Sequence, residues 1–179
     1  MRRRYRDSGR GRPRAIDITR HSRGSRLSSV SMQQALRPFV TAVDHVGIAV
    51  ADLDAAIAFH SETFGLEVAH VEVNEDQGVR EAMLRAPGDS SAGTAVQLLA
   101  PLNAESTIAT FLDRKGPGLQ QLAYRVTDVE AAADALRAQG LRVLYPQARR
   151  GTAESRVNFV HPKDAGGVLV ELVEPAPGH

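Results

Sequence analysis

The chain contains no cysteine, which excludes disulfides and thiolate-bound metal centres at once. Lysine is almost missing as well: Lys115 and Lys163 stand against 20 arginines, a genomic bias rather than a chemical signal. No apolar run approaches the ~18 residues that a membrane-spanning helix needs, so no membrane association is expected. Acidic residues are scarce at the start. Residues 1–40 hold 11 arginines against Asp7 and Asp17, a net of +9, whereas residues 41–179 carry −8. The same 40 residues include six serines and few large apolar side chains. They cannot bury a core and are expected to form a disordered Arg/Ser-rich tail. Such an arm could touch nucleic acid or an anionic surface, or serve as an organelle transit peptide. The simpler reading is an over-extended start with Met32 as the true beginning; no nucleic-acid partner is expected, and the expected location is cytoplasmic.

What is present is a repeat. Asp44-His45-Val46-Gly47-Ile48-Ala49-Val50-Ala51-Asp52-Leu53 returns as Gln120-Gln121-Leu122-Ala123-Tyr124-Arg125-Val126-Thr127-Asp128-Val129 at an offset of 76. The offset is 75 at Gly65-Leu66-Glu67-Val68 against Gly140-Leu141-Arg142-Val143. It is 74 where Ala95-Val96-Gln97-Leu98-Leu99 meets Leu169-Val170-Glu171-Leu172-Val173. One short gap per segment explains each step, so residues 41–179 form one domain of duplicated halves.

Each half reads as strand, helix and three strands. In the first (41–101), 44–50 is a strand by its alternation and β-friendly residues. Asp52 offers a side-chain cap to a helix with Leu53, Ala56, Ile57 and Phe64 on one face. Gly65 ends that helix where a left-handed residue is cheap. Strands follow at 67–73, 79–86 and 94–100. A linker helix over 104–115 carries Ile108, Phe111 and Leu112 and stops at Gly116-Pro117-Gly118. The second half (119–175) repeats the order. Its strand at 119–126 leads to a helix capped by Asp128 that carries Val129, Ala132, Ala133 and Leu136 and ends at Gly140. Strands are expected at 141–145, 156–160 and 168–173. Neither half can cover both faces of its own sheet, so the halves must pack together. The expected class is α+β, two tandem βαβββ modules forming an incompletely closed eight-stranded barrel-like sheet.

Four polar residues fall inside this pattern at matched places. His45 and Gln121 begin the first strand of each half, and Gln97 and Glu171 share one position of the last strand. A carboxylate within Val168-Leu169-Val170-Glu171-Leu172-Val173 is costly unless paired or bound to a cation. Taken singly, each is more often structural, as a hydrogen-bonded histidine or a solvated acid. Their coincidence with the repeat raises a shared site above that reading. One imidazole nitrogen and three oxygens suit Mn²⁺, Co²⁺ or Ni²⁺, and zinc less well.

The domain resembles the vicinal oxygen chelate superfamily, and within it the methylmalonyl-CoA epimerase family. The resemblance is carried in order by Asp44-His45-Val46-Gly47-Ile48-Ala49-Val50, Glu75-Asp76-Gln77-Gly78-Val79-Arg80-Glu81-Ala82-Met83-Leu84 and Gly116-Pro117-Gly118-Leu119. Arg149-Arg150-Gly151, Phe159-Val160-His161-Pro162-Lys163 and Gly167-Val168-Leu169-Val170-Glu171-Leu172-Val173 complete it. Residues 1–40 lie outside it. The resemblance implies a divalent ion held by His45, Gln97, Gln121 and Glu171, with Co²⁺ or Mn²⁺ expected and Ni²⁺ or Zn²⁺ as alternatives. The family has histidine where this chain has Gln121, and an amide oxygen is the poorer donor, so metal binding is weakened or lost if the amide cannot replace the imidazole.

The implied reaction is epimerisation at C2 of methylmalonyl-CoA, a step of propionate metabolism, in a homodimer. It needs an acid/base group on each side of the carbon and stabilisation of a thioester enolate. The resemblance puts the two groups on Glu81 and Glu171. Arg149, Arg150 and Lys163 are natural phosphate partners for the coenzyme, and His161 could bond the thioester or pantetheine arm. Two other readings compete: a different superfamily enzyme such as a glyoxalase-type lyase, and a metal-depleted acyl-CoA or small-molecule binding protein. A ring-cleaving dioxygenase is disfavoured, since it would want two histidines and a carboxylate around iron.

Overall fold

The structure, a computed structural model, describes residues 35–89 and 93–177. Most of the expected tail, residues 1–34, lies outside them. The few tail residues that are described are not loose: Leu36, Phe39 and Val40 pack against the core of the second half.

The first half comprises β1 (Val40–Ala49), α1 (Leu53–Phe64), β2 (Glu67–Asn74), β3 (Val79–Arg85) and β4 (Ala95–Pro101). The linker helix is α2 (Thr107–Lys115). The second half comprises β5 (Gly118–Val126), α3 (Val129–Ala138), β6 (Arg149–Arg150), β7 (Arg156–Val160) and β8 (Leu169–Glu174). All eight strands join one sheet in the order β2-β3-β4-β1-β5-β8-β7-β6. The duplication is visible in the pairing: β1 runs parallel to β4 as β5 does to β8, and the halves meet where β1 and β5 pair antiparallel. The curled half-barrel with three helices is the expected fold.

The helices form where the sequence caps them. The Asp52 carboxylate accepts from Ala55 N, and the Asp128 carboxylate accepts from Ala131 N. Gly65 ends α1 at φ 69°, a conformation in which a side chain would be strained. Alternation along the strands then separates two faces. Ile48, Val96, Leu98, Ala100, Ala82 and Leu84 turn outward to α1, and Val126, Val160, Val170 and Leu172 turn to α3. The alternate residues line the concave face. There α2 covers Ala49, Val79 and Leu99 on one flank, while Ala123, Val157, Phe159 and Val173 cluster on the other. The polar positions lie between these two apolar clusters.

Two expectations need correction. Residues 141–145 are not a strand: they make an isolated bridge, Val143 to Val160, and Leu144 N donates to Phe159 O. Pro146 has no N–H to continue the ladder. At Tyr145 the Asn158 side chain takes over, its Oδ1 accepting from Tyr145 N and its Nδ2 donating to Tyr145 O. The two-residue β6 is the eighth strand instead. Phe64, assigned to the buried face of α1, is 61% exposed. The chain turns at Gly65 and Leu66 takes the core position, leaving Phe64 edge-on against Phe59.

Candidate active site

The site is built from two rows running across neighbouring strands of the concave face. In one, Ala95, His45, Ala123, Glu171 and Phe159 are successive partners; in the other, Met83, Gln97, Gly47, Gln121 and Leu169 are. Small residues alternate with functional ones. Ala123 leaves room between His45 and Glu171, and Gly47 leaves room between Gln97 and Gln121. At Gly47 the need is steric: a Cβ there would stand 2.5 Å from Gln121 Cγ and 3.2 Å from Leu99 Cδ1. The functional positions of each row are two strands, or about 10 Å, apart, and their long side chains meet over the small residue between them.

All four are buried. His45 Nε2 lies 3.1 Å from Glu171 Oε2. Gln121 Nε2 donates to Glu171 Oε2 at 2.6 Å and to Gln97 Oε1 at 3.1 Å, and stands 3.4 Å from His45 Nε2. Gln97 Nε2 donates in turn to Glu81 Oε2 at 2.9 Å and Thr152 Oγ1 at 3.1 Å, while Thr152 Oγ1 donates to Glu81 Oε1 at 2.8 Å. Behind the histidine, Asp44 accepts from His45 Nδ1 at 2.9 Å and from Arg125 Nε at 2.7 Å.

The electrostatics follow from these contacts. Burial pushes Glu81 up, the Thr152 hydroxyl pulls it partly back, and the charges of Glu72 and Glu171 add to the rise; the result is about 7. A carboxyl held there can give or take a proton at neutral pH. Burial would raise Asp44, but the hydrogen bonds from His45 and Arg125 outweigh it and hold the carboxyl below its ordinary value. Burial would lower His45, but its bonds to Asp44 and Glu171, with their charges, raise it to about 9.

This donor set suits a divalent cation. Asp44 takes the Nδ1 proton, and the Nε2–H that a protonated His45 gives Glu171 at 3.1 Å is the proton a divalent cation would displace, leaving two acceptors to share the ion. Ligand atoms ~2.0–2.2 Å from one ion stand about 3 Å from each other, which is the separation of His45 Nε2 and Glu171 Oε2. A carboxylate behind a ligating imidazole is also the usual second support. Among the described residues no three His, Cys, Asp or Glu side chains gather into a metal site. A cation here must therefore draw on the two carboxamides.

Two cavities flank the ring. One, of about 520 Å³, is lined by Asp44, His45, Arg125, Met83 and Thr152 among others. The other, of about 450 Å³, is lined by Gln121, Leu99, Tyr145, Arg149 and Phe159 among others. Of the basic residues assigned to the coenzyme, Arg149 lines the second cavity with its guanidinium 3.8 Å from the centre of the Tyr145 ring. Arg150 is engaged with Glu154 and Glu72. His161 and Lys163 stand on a 3₁₀ turn after β7, where Lys163 N donates to His161 Nδ1; they line neither cavity. Thr152, Asp44, Arg125 and Gly47 are site residues that sequence reasoning did not single out. Asp44 and Gly47 flank His45 in the repeated motif and could have been found there. Thr152 had no signal: it opens a turn in which Ala153 and Glu154 hold positive φ, 52° and 60°.

Comparison with known proteins identifies relatives of the whole domain. Residues 44–159 match the Glyoxalase/Bleomycin resistance protein/Dioxygenase superfamily. The ethylmalonyl-CoA/methylmalonyl-CoA epimerase of Cereibacter sphaeroides is 39% identical over 132 residues, 73% of this chain and 95% of that protein. The crystal structure of methylmalonyl-CoA epimerase from Mycobacterium tuberculosis is similar with a TM-score of 0.73 at 59% identity, over 77% of this chain and 90% of that one. A methylmalonyl-CoA epimerase in complex with methylmalonyl-CoA and NH4+ is similar with a TM-score of 0.73 at 47% identity, over 77% and 96%. Superfamily match and whole-domain similarity coincide: the chain belongs to the Glyoxalase/Bleomycin resistance protein/Dioxygenase superfamily and, within it, to the methylmalonyl-CoA epimerase family.

Proposed function

We propose that this protein epimerises methylmalonyl-CoA at C2, interconverting the 2R and 2S thioesters. The observation that carries the reading is a pair of buried carboxylates at the two ends of one hydrogen-bonded amide chain, Glu81–Gln97–Gln121–Glu171. One carboxylate takes the C2 proton and the other returns one to the opposite face. Glu81 is suited to either part, since its carboxyl changes charge near pH 7. Thr152 and Gln97 hold the Glu81 oxygens in place, so the base does not have to be ordered in each turnover.

A divalent cation held by His45, Gln97, Glu171 and an inward-turned Gln121 carboxamide oxygen supplies Lewis-acid stabilisation of the enolate oxygen when bound. One nitrogen and three oxygens favour Co²⁺ or Mn²⁺ over zinc. Arg149, at the rim of the second cavity, is the group best placed to meet a coenzyme phosphate. Arg150, His161 and Lys163 belong to the same proposal as outlying contacts. A homodimer is proposed with it, and the large exposed apolar residues Phe59, Phe64, Val71 and Val73 on α1 and β2 are a face that suits a second copy. Cytoplasmic action in propionate metabolism completes the reading.

A protein that only binds acyl-CoA has no need of two buried carboxyls, Glu81 and Glu171, joined through one amide chain, and that arrangement favours the enzyme. The test is to incubate a single epimer with the Co²⁺-loaded protein and resolve the products chirally. Conversion to an equal mixture is expected, and retention of the starting epimer overturns the reading.

A further inference from the structure

We propose that Gln121 occupies the cation's place in the metal-free protein, so that a metal ion must turn this carboxamide before it can bind. The inference deepens the proposed metal-assisted site and concerns the ligand position at which the family resemblance implies a histidine in place of Gln121.

Hydrogen-bond polarity sets the orientation of Gln121. A carboxamide has one end that donates and one that accepts, and its orientation is set by what surrounds it. The chain of contacts starts at Glu81, whose two oxygens can only accept in its carboxylate form. Thr152 donates to one, so the hydroxyl oxygen is left to accept. The Gln97 amino group donates to the other Glu81 oxygen and to Thr152. Gln97 Oε1 must then face Gln121 as an acceptor. On its other side Gln121 meets Glu171 Oε2, again an acceptor. With acceptors on both sides, Gln121 is obliged to point Nε2 inward, 3.1 Å from Gln97 Oε1 and 2.6 Å from Glu171 Oε2. A positively polarised N–H pair thus stands among atoms that would otherwise share a cation.

The orientation that closes the ring is the wrong one for coordination, because the NH₂ end has no lone pair to offer. Turning the amide presents Oε1 but forfeits both hydrogen bonds. A histidine at this position would not face that choice. Gly47, whose missing Cβ would otherwise lie 2.5 Å from Gln121 Cγ, provides the room that the amide needs.

The experiment is calorimetric titration of chelator-treated protein with Co²⁺, for the parent and for Gln121→His, with melting of the metal-free parent, Gln121→His and Gln121→Leu alongside. No acyl-CoA is present. Two lost hydrogen bonds at their usual net worth predict Co²⁺ binding about tenfold to a hundredfold tighter in Gln121→His, and both metal-free variants melting below the parent. Equal or tighter binding by the parent, no binding by either protein, or metal-free Gln121→Leu melting at or above the parent overturns the proposal. Should the variants fail to fold, the parent alone decides. In ¹⁵N spectra its Gln121 NH₂ pair should be protected from exchange without metal and shift on adding Zn²⁺, whereas an exposed, unshifted pair refutes the inference. Tighter Co²⁺ binding by Gln121→His, with no turnover of methylmalonyl-CoA in a separate assay, would instead count against the proposed reaction alone.

Discussion

Replacing Glu81 by glutamine should make the metal-free protein more stable at neutral and alkaline pH while removing its activity. Glu81 is raised from 4.5 to about 7 in the folded state, chiefly by burial. The folded protein therefore keeps a proton that the unfolded chain has already released. That contribution is fully present below pH 4.5 and is lost as pH rises through about 7. At ~1.36 kcal/mol per pH unit between the two values, the loss amounts to about 3 kcal/mol by pH 8. Glutamine keeps the shape and cannot ionise, so it escapes the loss. His45 and Asp44 also titrate, but they do so in parent and variant alike, and the difference between the two proteins isolates Glu81. The assay is thermal or urea unfolding of chelator-treated parent and Glu81→Gln at pH 5, 6, 7 and 8. The advantage of the variant should grow across this range by about 2–3 kcal/mol, or about 4–12 °C for a domain of this size. Epimerisation should fall by ~100-fold or more, the usual worth of a positioned acid/base group. A stability difference that stays flat with pH would show that Glu81 is not held neutral by its surroundings, and the reasoning would fail.

Other expected outcomes follow from single contacts. Gly47→Ala should push Gln121 out of the ring, since its new Cβ would lie 2.5 Å from Gln121 Cγ; a loss of about 1–3 kcal/mol in urea unfolding should accompany weaker Co²⁺ binding by calorimetry. Arg149→Ala should raise KM for the full CoA thioester about tenfold, a charge-assisted phosphate contact being worth that much, and leave KM for a thioester without the nucleotide unchanged. Leu172→Ala, at a fully buried position beneath α3, should cost about 2–5 kcal/mol with its cavity left remote from the ring.

The ring was legible because duplication exposed it. His45 with Gln121, and Gln97 with Glu171, fall at matched positions in strands that are otherwise apolar, and strand pairing carries equal positions to a common face. Helix ends were legible too, because Asp52, Asp128 and Gly65 act through local bonding alone. What could not be read depends on distant partners. Arg125 supports the site by reaching Asp44 across 81 residues. Thr152 reaches Glu81 across 71 from a turn whose left-handed residues are alanine and glutamate rather than glycine. The expected strand at 141–145 was overruled by Pro146 and by an asparagine side chain that imitates backbone. Phe64 looked buried because its spacing continued the apolar stripe of α1, but the chain leaves the helix there and Leu66 fills the core instead.

The central claim is that Glu81 and Glu171 exchange the C2 proton of methylmalonyl-CoA from opposite faces. Its most direct test is to incubate the thioester with Co²⁺-loaded protein in D₂O and follow C2 by proton NMR. The account predicts that deuterium enters C2 in both epimers with the parent, and that exchange is lost when both glutamates are replaced by glutamine. A C2 proton that survives in the presence of the metal-loaded parent, or washes out equally fast in the double variant, would contradict it.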